Sequence, residues 1–212
     1  MAISVVLHDI MGKALKSTGF GAVQTERRLP DMATLVAEGK VFEALDTTTT
    51  VALVARPSTT ASLTIQNPSG SGKTYVVFGI SIYTDVVAAS LGLVTVWHCI
   101  HKVPAAAFTR DLALTGTGAG TAACLKAGSG TYSGQAIIDR GATVVDDGWV
   151  PTPLQNLNNI ATTNFICNAA KLISPVVIPE GMHYSLQTTA TVVTFESALG
   201  FVWAELDEGD LG

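Results

Sequence analysis

The sequence predicts an all-β protein, an antiparallel β-sandwich preceded by an N-terminal arm with a short helix. Three observations predict it. From Val41 onward, short segments rich in Val, Ile, Thr and aromatic residues recur, several alternating apolar with polar positions. Clusters of Pro, Gly, Ser and Asn separate them at the short intervals of a sandwich or barrel. No long helical pattern alternates with them, which argues against a parallel α/β sheet.

The arm comprises residues 1–40 and the sandwich residues 41–212. In the arm, Ile3, Leu7, Ile10, Met11, Ala14 and Leu15 recur at helical spacing until Gly19 and Gly21 stop the pattern. The next stretch, through Thr25–Pro30 and Asp31–Val36, reads as an arm or extended segment with one short helix a candidate somewhere within it. Docking on a neighbouring subunit and docking on its own domain are both open to such an arm. Strands are expected at Val41–Leu45, Thr50–Ala55, Thr60–Gln66, Thr74–Thr84, Leu91–Ile100, Ala136–Asp139, Lys171–Ile178, His183–Thr189, Thr191–Glu196 and Gly200–Leu206. Short helices are candidates around Pro104–Leu112 and Pro153–Ile160. Between Thr115 and Gly134 the chain is rich in Gly, Ala, Ser and Thr and reads as a long exposed loop.

The run Asn67-Pro68-Ser69-Gly70-Ser71-Gly72-Lys73-Thr74 imitates a phosphate-binding loop. That motif needs a first glycine where Asn67 stands, and a helix starting at the lysine to hold the anion. Residues 75–84 are instead dense in β-branched and aromatic residues, which favour a strand. The run therefore reads as a hairpin loop, with Lys73 as a solvated charge at its tip. A nucleotide hydrolase using Lys73 is the least favoured function.

Other chemistry is sparse. On a strand, His98 and His101 point to opposite faces, while Trp97, Cys99 and His101 share one; a zinc pair needs ligands on the same face. Cys99, Cys124 and Cys167 are odd in number and widely spaced, which suits buried thiols rather than a disulfide framework. Asp146-Asp147-Gly148-Trp149 lacks the calcium-loop pattern and reads as an exposed turn with a packed Trp. No G-x-S-x-G elbow organises the serines and four histidines. The acidic stretch Glu205–Asp210 reads as a solvated end. No catalytic, metal-binding or cofactor-binding residue is assigned, and no cofactor is expected.

The net charge of −5 and only 14% charged residues argue against nucleic acid as a partner. No apolar run reaches a membrane span, so no membrane partner is expected. The first residues lack the early positive charge of a secretory signal, which points to folding in a cytoplasm. A mean hydropathy of +0.40 is high and suggests large subunit contacts.

Two turn motifs carry a resemblance. One is Ile65-Gln66-Asn67-Pro68-Ser69-Gly70-Ser71-Gly72-Lys73 with Val76-Val77 after it. The other is Ile178-Pro179-Glu180-Gly181-Met182-His183-Tyr184, followed by the late strand Gly200–Leu206 with its Trp203-Ala204-Glu205 run. Together they resemble virion proteins of tailed bacteriophages. The resemblance implies a jelly-roll-like sandwich, homotrimeric, decorating or cementing the capsid surface by binding the major capsid protein. It implies a protein made in the host bacterial cytoplasm. The alternative is a tail or fibre module that binds a receptor glycan through loop aromatics such as Trp149 or Tyr132.

Overall fold

A computed structural model describes residues 32–84, 93–104, 108–115, 122–129, 132–152, 157–158, 166–191 and 196–207. The elements are α1 (Met32–Ala37), β1 (Val41–Thr50), β2 (Leu63–Gln66), β3 (Lys73–Thr84), β4 (Leu93–Ile100) and α2 (Leu112–Thr115). They continue with β5 (Ala123–Cys124), β6 (Ile137–Arg140), β7 (Val150–Pro151), β8 (Leu157–Asn158), β9 (Ile166–Ile178), β10 (His183–Ala190) and β11 (Glu196–Asp207). One sheet has the order β5-β1-β11-β3-β9 and the other β6-β2-β10-β4-β7, with β8 also pairing with β4. Every strand pair is antiparallel.

Successive long strands alternate between the two sheets, and their partners are nested. β1 pairs with β11, β2 with β10, β3 with β9, and β4 with β7 and β8. The chain is thus one long antiparallel ribbon rolled over a core, which is the jelly-roll form of the sandwich. Between the sheets lie Phe42, Leu63, Ile65, Tyr75, Val77, Ile80, Ile82, Ile138, Tyr184, Leu186, Phe201 and Trp203. In β3 the inward positions change from odd (Tyr75, Val77) to even (Ile80, Ile82). The ladder to β11 skips Phe78, pairing Val77 with Trp203 and Gly79 with Val202. That extra residue is a β-bulge, and the glycine in the middle of the strand marks it.

Helix α1 covers part of the outer face of the first sheet. Leu35 of α1, with Met32 and Val36, packs on Val41, Val76, Ala204 and Leu206 of the first sheet. The helix stops in a paired turn: the Gly39 amide donates to Val36 O at 2.9 Å and the Lys40 amide to Leu35 O at 3.0 Å. Gly39 adopts the φ of 75° that this termination requires. The described part of the arm therefore docks on its own domain. The helical pattern of residues 3–15 lies outside the described residues.

The rolled ribbon crosses from one sheet to the other where β2 passes to β3 and β9 passes to β10. At this corner both chains leave their ladders, and Asn67 supplies the missing partners. Its side-chain amide donates to Lys73 O at 2.7 Å and to Ile178 O at 3.1 Å. Its side-chain oxygen accepts from the Ser71 hydroxyl at 2.6 Å. Its backbone N–H donates to Met182 O at 3.0 Å, and its backbone oxygen accepts from the Gly181 amide at 2.9 Å. Glu180 adds a carboxylate bond to the Gly70 amide. Gly181 has a φ of 78°, and a Cβ there would lie 3.2 Å from Ser69 Oγ. Both turn motifs singled out in the sequence are thus halves of one corner.

Several expectations are corrected. The segment 67–72 is not a hairpin: β2 and β3 belong to different sheets, because each already pairs with a strand from the far end of the chain. Lys73 is not a free loop-tip charge; it opens β3 opposite Asp207 and forms an ion pair with it. No helix starts there, so the phosphate-loop geometry does not form. Thr50–Ala55 is not a separate strand: Thr50 ends β1, and of the rest only Ala52 makes a bridge, to Thr189. Of Thr191–Glu196, residues 192–195 lie outside the described residues and Glu196 opens β11. Of Pro104–Leu112, residues 105–107 lie outside the described residues and among the rest a helix begins only at Leu112; β8 occupies part of Pro153–Ile160, of which residues 153–156 and 159–160 are outside the described residues. The stretch Thr115–Gly134 is not wholly exposed: β5 pairs with β1, and Ala122 and Tyr132 are buried. The ending is not solvated at Glu205, a buried residue within β11.

Asn67→Ala strips three side-chain bonds from the corner and is expected to cost about 3 kcal/mol in urea unfolding. Lys73→Ala removes a half-exposed ion pair and is expected to cost only about 0.5 kcal/mol. Equal losses in the two variants would contradict the role given to Asn67.

Candidate functional site

The second sheet carries a polar track on its outer face. Alternation along β10 sends Tyr184 and Leu186 into the core and His183, Ser185, Gln187 and Thr189 outward. All four are buried nonetheless. β4 and the residue after it deliver Trp97, Cys99 and His101 to the same side, as the alternation predicts, and β2 adds Thr64 opposite Ser185. The cover is a strap of residues 142–149, whose Ala142, Val144 and Trp149 pack with Ala61 and Cys99. Phe108 meets His183 edge-on at 5.0 Å between ring centroids.

Backbone bonds fasten the strap. The Ala61 amide donates to Ala142 O at 3.0 Å, the Val144 amide to Thr59 O at 2.9 Å, and Trp149 Nε1 to Ser58 O at 2.8 Å. Outside, Arg56 makes two bonds to Asp146, of 2.7 and 2.9 Å. Inside, Asp147 Oδ2 lies 3.3 Å from His101 Nδ1 and accepts the Lys102 amide at 3.1 Å. His101 Nε2 lies 2.9 Å from Ser185 Oγ, which lies 2.9 Å from Thr64 Oγ1. A carboxylate only accepts, so the neutral His101 ring holds its proton on Nδ1 and accepts a hydrogen bond from the Ser185 hydroxyl at Nε2. The rings of His101 and His183 stack at 3.8 Å and 14°.

Burial lowers the pKa of His101, and Asp147 opposes that shift. Burial, with the charge of His101 adding to it, lowers His183 from its ordinary value to about 4. Burial pushes the Cys99 thiol up, against the opposing hydrogen bond from the Asp147 backbone. Acid, imidazole and hydroxyl stand in the order used for acyl transfer. Such chemistry also needs an approachable nucleophile and oxyanion donors. Ser185 and Thr64 are both 0% exposed, and Ser185 is paired on both sides within the sheet. In this closed arrangement the three groups act as a clasp between strap and sheet.

A second buried network centres on Glu205, only 5% exposed. Its carboxylate accepts from the Tyr132 hydroxyl, Trp203 Nε1 at 3.1 Å, the Gln135 amide at 2.8 Å and the Ala136 amide at 3.3 Å. Burial and Glu205 raise the pKa of Tyr132 and of Tyr75 well above the ordinary phenol value. This network ties the glycine-rich middle of the chain to β11.

Of the residues weighed from sequence, the structure unites Cys99, His101, Asp147 and Trp149, and separates His98, which reaches the Tyr184 hydroxyl at 3.1 Å on the inner side. Trp149 and Tyr132 are each only 5% exposed, so neither offers the sugar-stacking platform the glycan alternative required. Cys99 and Cys124 are free thiols; the side chain of Cys167 lies outside the described residues. Among the described residues no group of three or more His, Cys, Asp or Glu side chains is placed to hold a metal ion, and no helix is long and apolar enough to cross a membrane. Sequence reasoning missed His183, Ser185 and Thr64. Their signal is the alternation His183-x-Ser185-x-Gln187-x-Thr189, a polar face with no apolar member.

Ser185→Ala leaves His101 Nε2 and the Thr64 hydroxyl without their partner and is expected to cost about 1–2 kcal/mol in thermal or urea unfolding. An unchanged stability would contradict the clasp.

Comparison with known proteins found no matching family model, no matching curated protein and no matching solved structure.

Proposed function

We propose that the chain is a structural virion protein of a tailed bacteriophage, a capsid decoration or cement protein. It acts as a homotrimer on the capsid surface, binding the major capsid protein and stabilising the head by added buried area. The observation that carries this reading is the rolled strand order, β1-β11-β3-β9 against β2-β10-β4-β7, an architecture that recurs in viral capsid domains. The two quoted turns meeting at one corner support it, since the resemblance rests on both. The chemistry-bearing side chains serve internal bonds, as a building block requires. Exposed Leu53, Val54, Ile100, Val103, Leu112 and Val150 offer apolar surface for subunit contacts. The glycan alternative has lost Trp149 and Tyr132 as its contacts.

Light scattering on the purified chain is expected to give about three times the 22.0 kDa of one chain. Immunogold labelling of intact particles from the source is expected to mark heads. A monomer, or label confined to tails, would overturn the proposal.

A further inference from the structure

We propose that the stacked His101–His183 pair is an acid-sensitive latch: a second proton on the pair releases the strap of residues 142–149 and uncovers Cys99 and the outer face of β10. The geometry admits one proton readily. A protonated His101 donates from Nδ1 to Asp147 and from Nε2 to Ser185, whose hydroxyl then turns to Thr64. The second proton has no such place. His183 lies face to face with His101 at 3.8 Å, and its Nδ1 is buried without a hydrogen-bond partner. Two stacked imidazolium rings repel, and separating them requires the cover to lift.

The surroundings leave this repulsion poorly compensated. The strap presents Asp147 to the pair, while Asp146 is engaged by Arg56. The end of β4 presents the Cys99 thiol and Lys102, β2 presents neutral Thr64 and Gln66, and the segment before α2 presents Phe108. Asp139 of β6 is occupied by the Thr109 amide. One carboxylate, Asp147, therefore serves two rings.

The sign follows from the depressed titration of the buried rings. Once released, each imidazole titrates near its ordinary value of about 6.5. His183 in the closed form titrates at about 4. Between these values the closed form binds fewer protons than the open one, so closure is full above the upper value and weakens as pH falls toward the lower. The strap is the part that yields, since few backbone bonds hold it while the sheet beneath keeps its own ladders.

The test is labelling of Cys99 by a disulfide reagent active in acid, read for each cysteine by peptide mass mapping, with circular dichroism to follow the folded state. Between about pH 7.5 and about pH 5 the rate at Cys99, relative to the denatured chain, is expected to rise about tenfold while the β signal persists. In His183→Phe, which keeps a ring in the stack but cannot take a proton, the rise is expected to fall below about threefold. Should that variant not fold, His183→Gln serves the same purpose, and the hydrogen exchange of residues 142–149 against α1 in the unaltered protein gives a second reading. A flat rate in the unaltered protein, an equal rise in the His183 variant, or exposure only with loss of the whole β signal would each overturn the latch.

Discussion

Asn67 holds the point at which the two sheets become one fold. A ribbon of paired strands can roll over a core only by bending, and at a bend the backbone groups leave their ladders. Buried, those groups need other partners. Here the side-chain amide of Asn67 donates to both chains of the ribbon, to Lys73 O on one and Ile178 O on the other. Its own backbone pairs with Met182 and Gly181 across the corner. The crossing nearer the chain ends is tied in a related way, by Ala52 to Thr188 and Ala190 and by Thr49 to Ser197. Pinning the corner fixes the register of β2, β3, β9 and β10 together. A slip of one residue would turn Leu63 and Ile65 outward and carry Thr64 into the core.

The register in turn decides where the polar groups go. Ser185 stands opposite Thr64 on the outer face of the second sheet, within reach of His101. Trp203 and Glu205 share the inward parity of β11, so a carboxylate enters the interior and needs the donors of Tyr132, Gln135 and Ala136. A further tie crosses the sandwich at its edge, where Arg140 of β6 makes two bonds to buried Asp46 of β1. In each case the charged or titratable group spends its bonding within the chain.

The strands were legible because β-branched residues, alternation and turn clusters agree. All ten expected strand segments overlap an observed strand or its end, two of them by a single residue, Thr50 and Glu196, but pairing was not legible locally. The Pro/Gly/Ser run 67–72 looks like a hairpin because a hairpin and a corner between sheets need the same turn residues; only the distant partners β10 and β9 distinguish them. Very short strands such as β5 and β7 escaped notice, since two residues carry no period. Of the site, the shared face of Trp97, Cys99 and His101 was readable from alternation alone, and the packing of Trp149 from the turn that carries it. The meeting of Asp147 with His101, and of His101 with Ser185, depends on how the strap and β10 fold back, which no local pattern encodes. Glu205 was misread by its neighbours in sequence, because the acidic run that follows it outweighed its parity with Phe201 and Trp203.

Amide hydrogen exchange at the corner tests the role of Asn67 most directly. If the pin holds the roll together, the amides of Asn67, Gly181 and Met182 exchange only through global unfolding, with the same protection as the paired amides of β3 and β11. Exchange of these three amides by local opening, with the strands still fully protected, would contradict it.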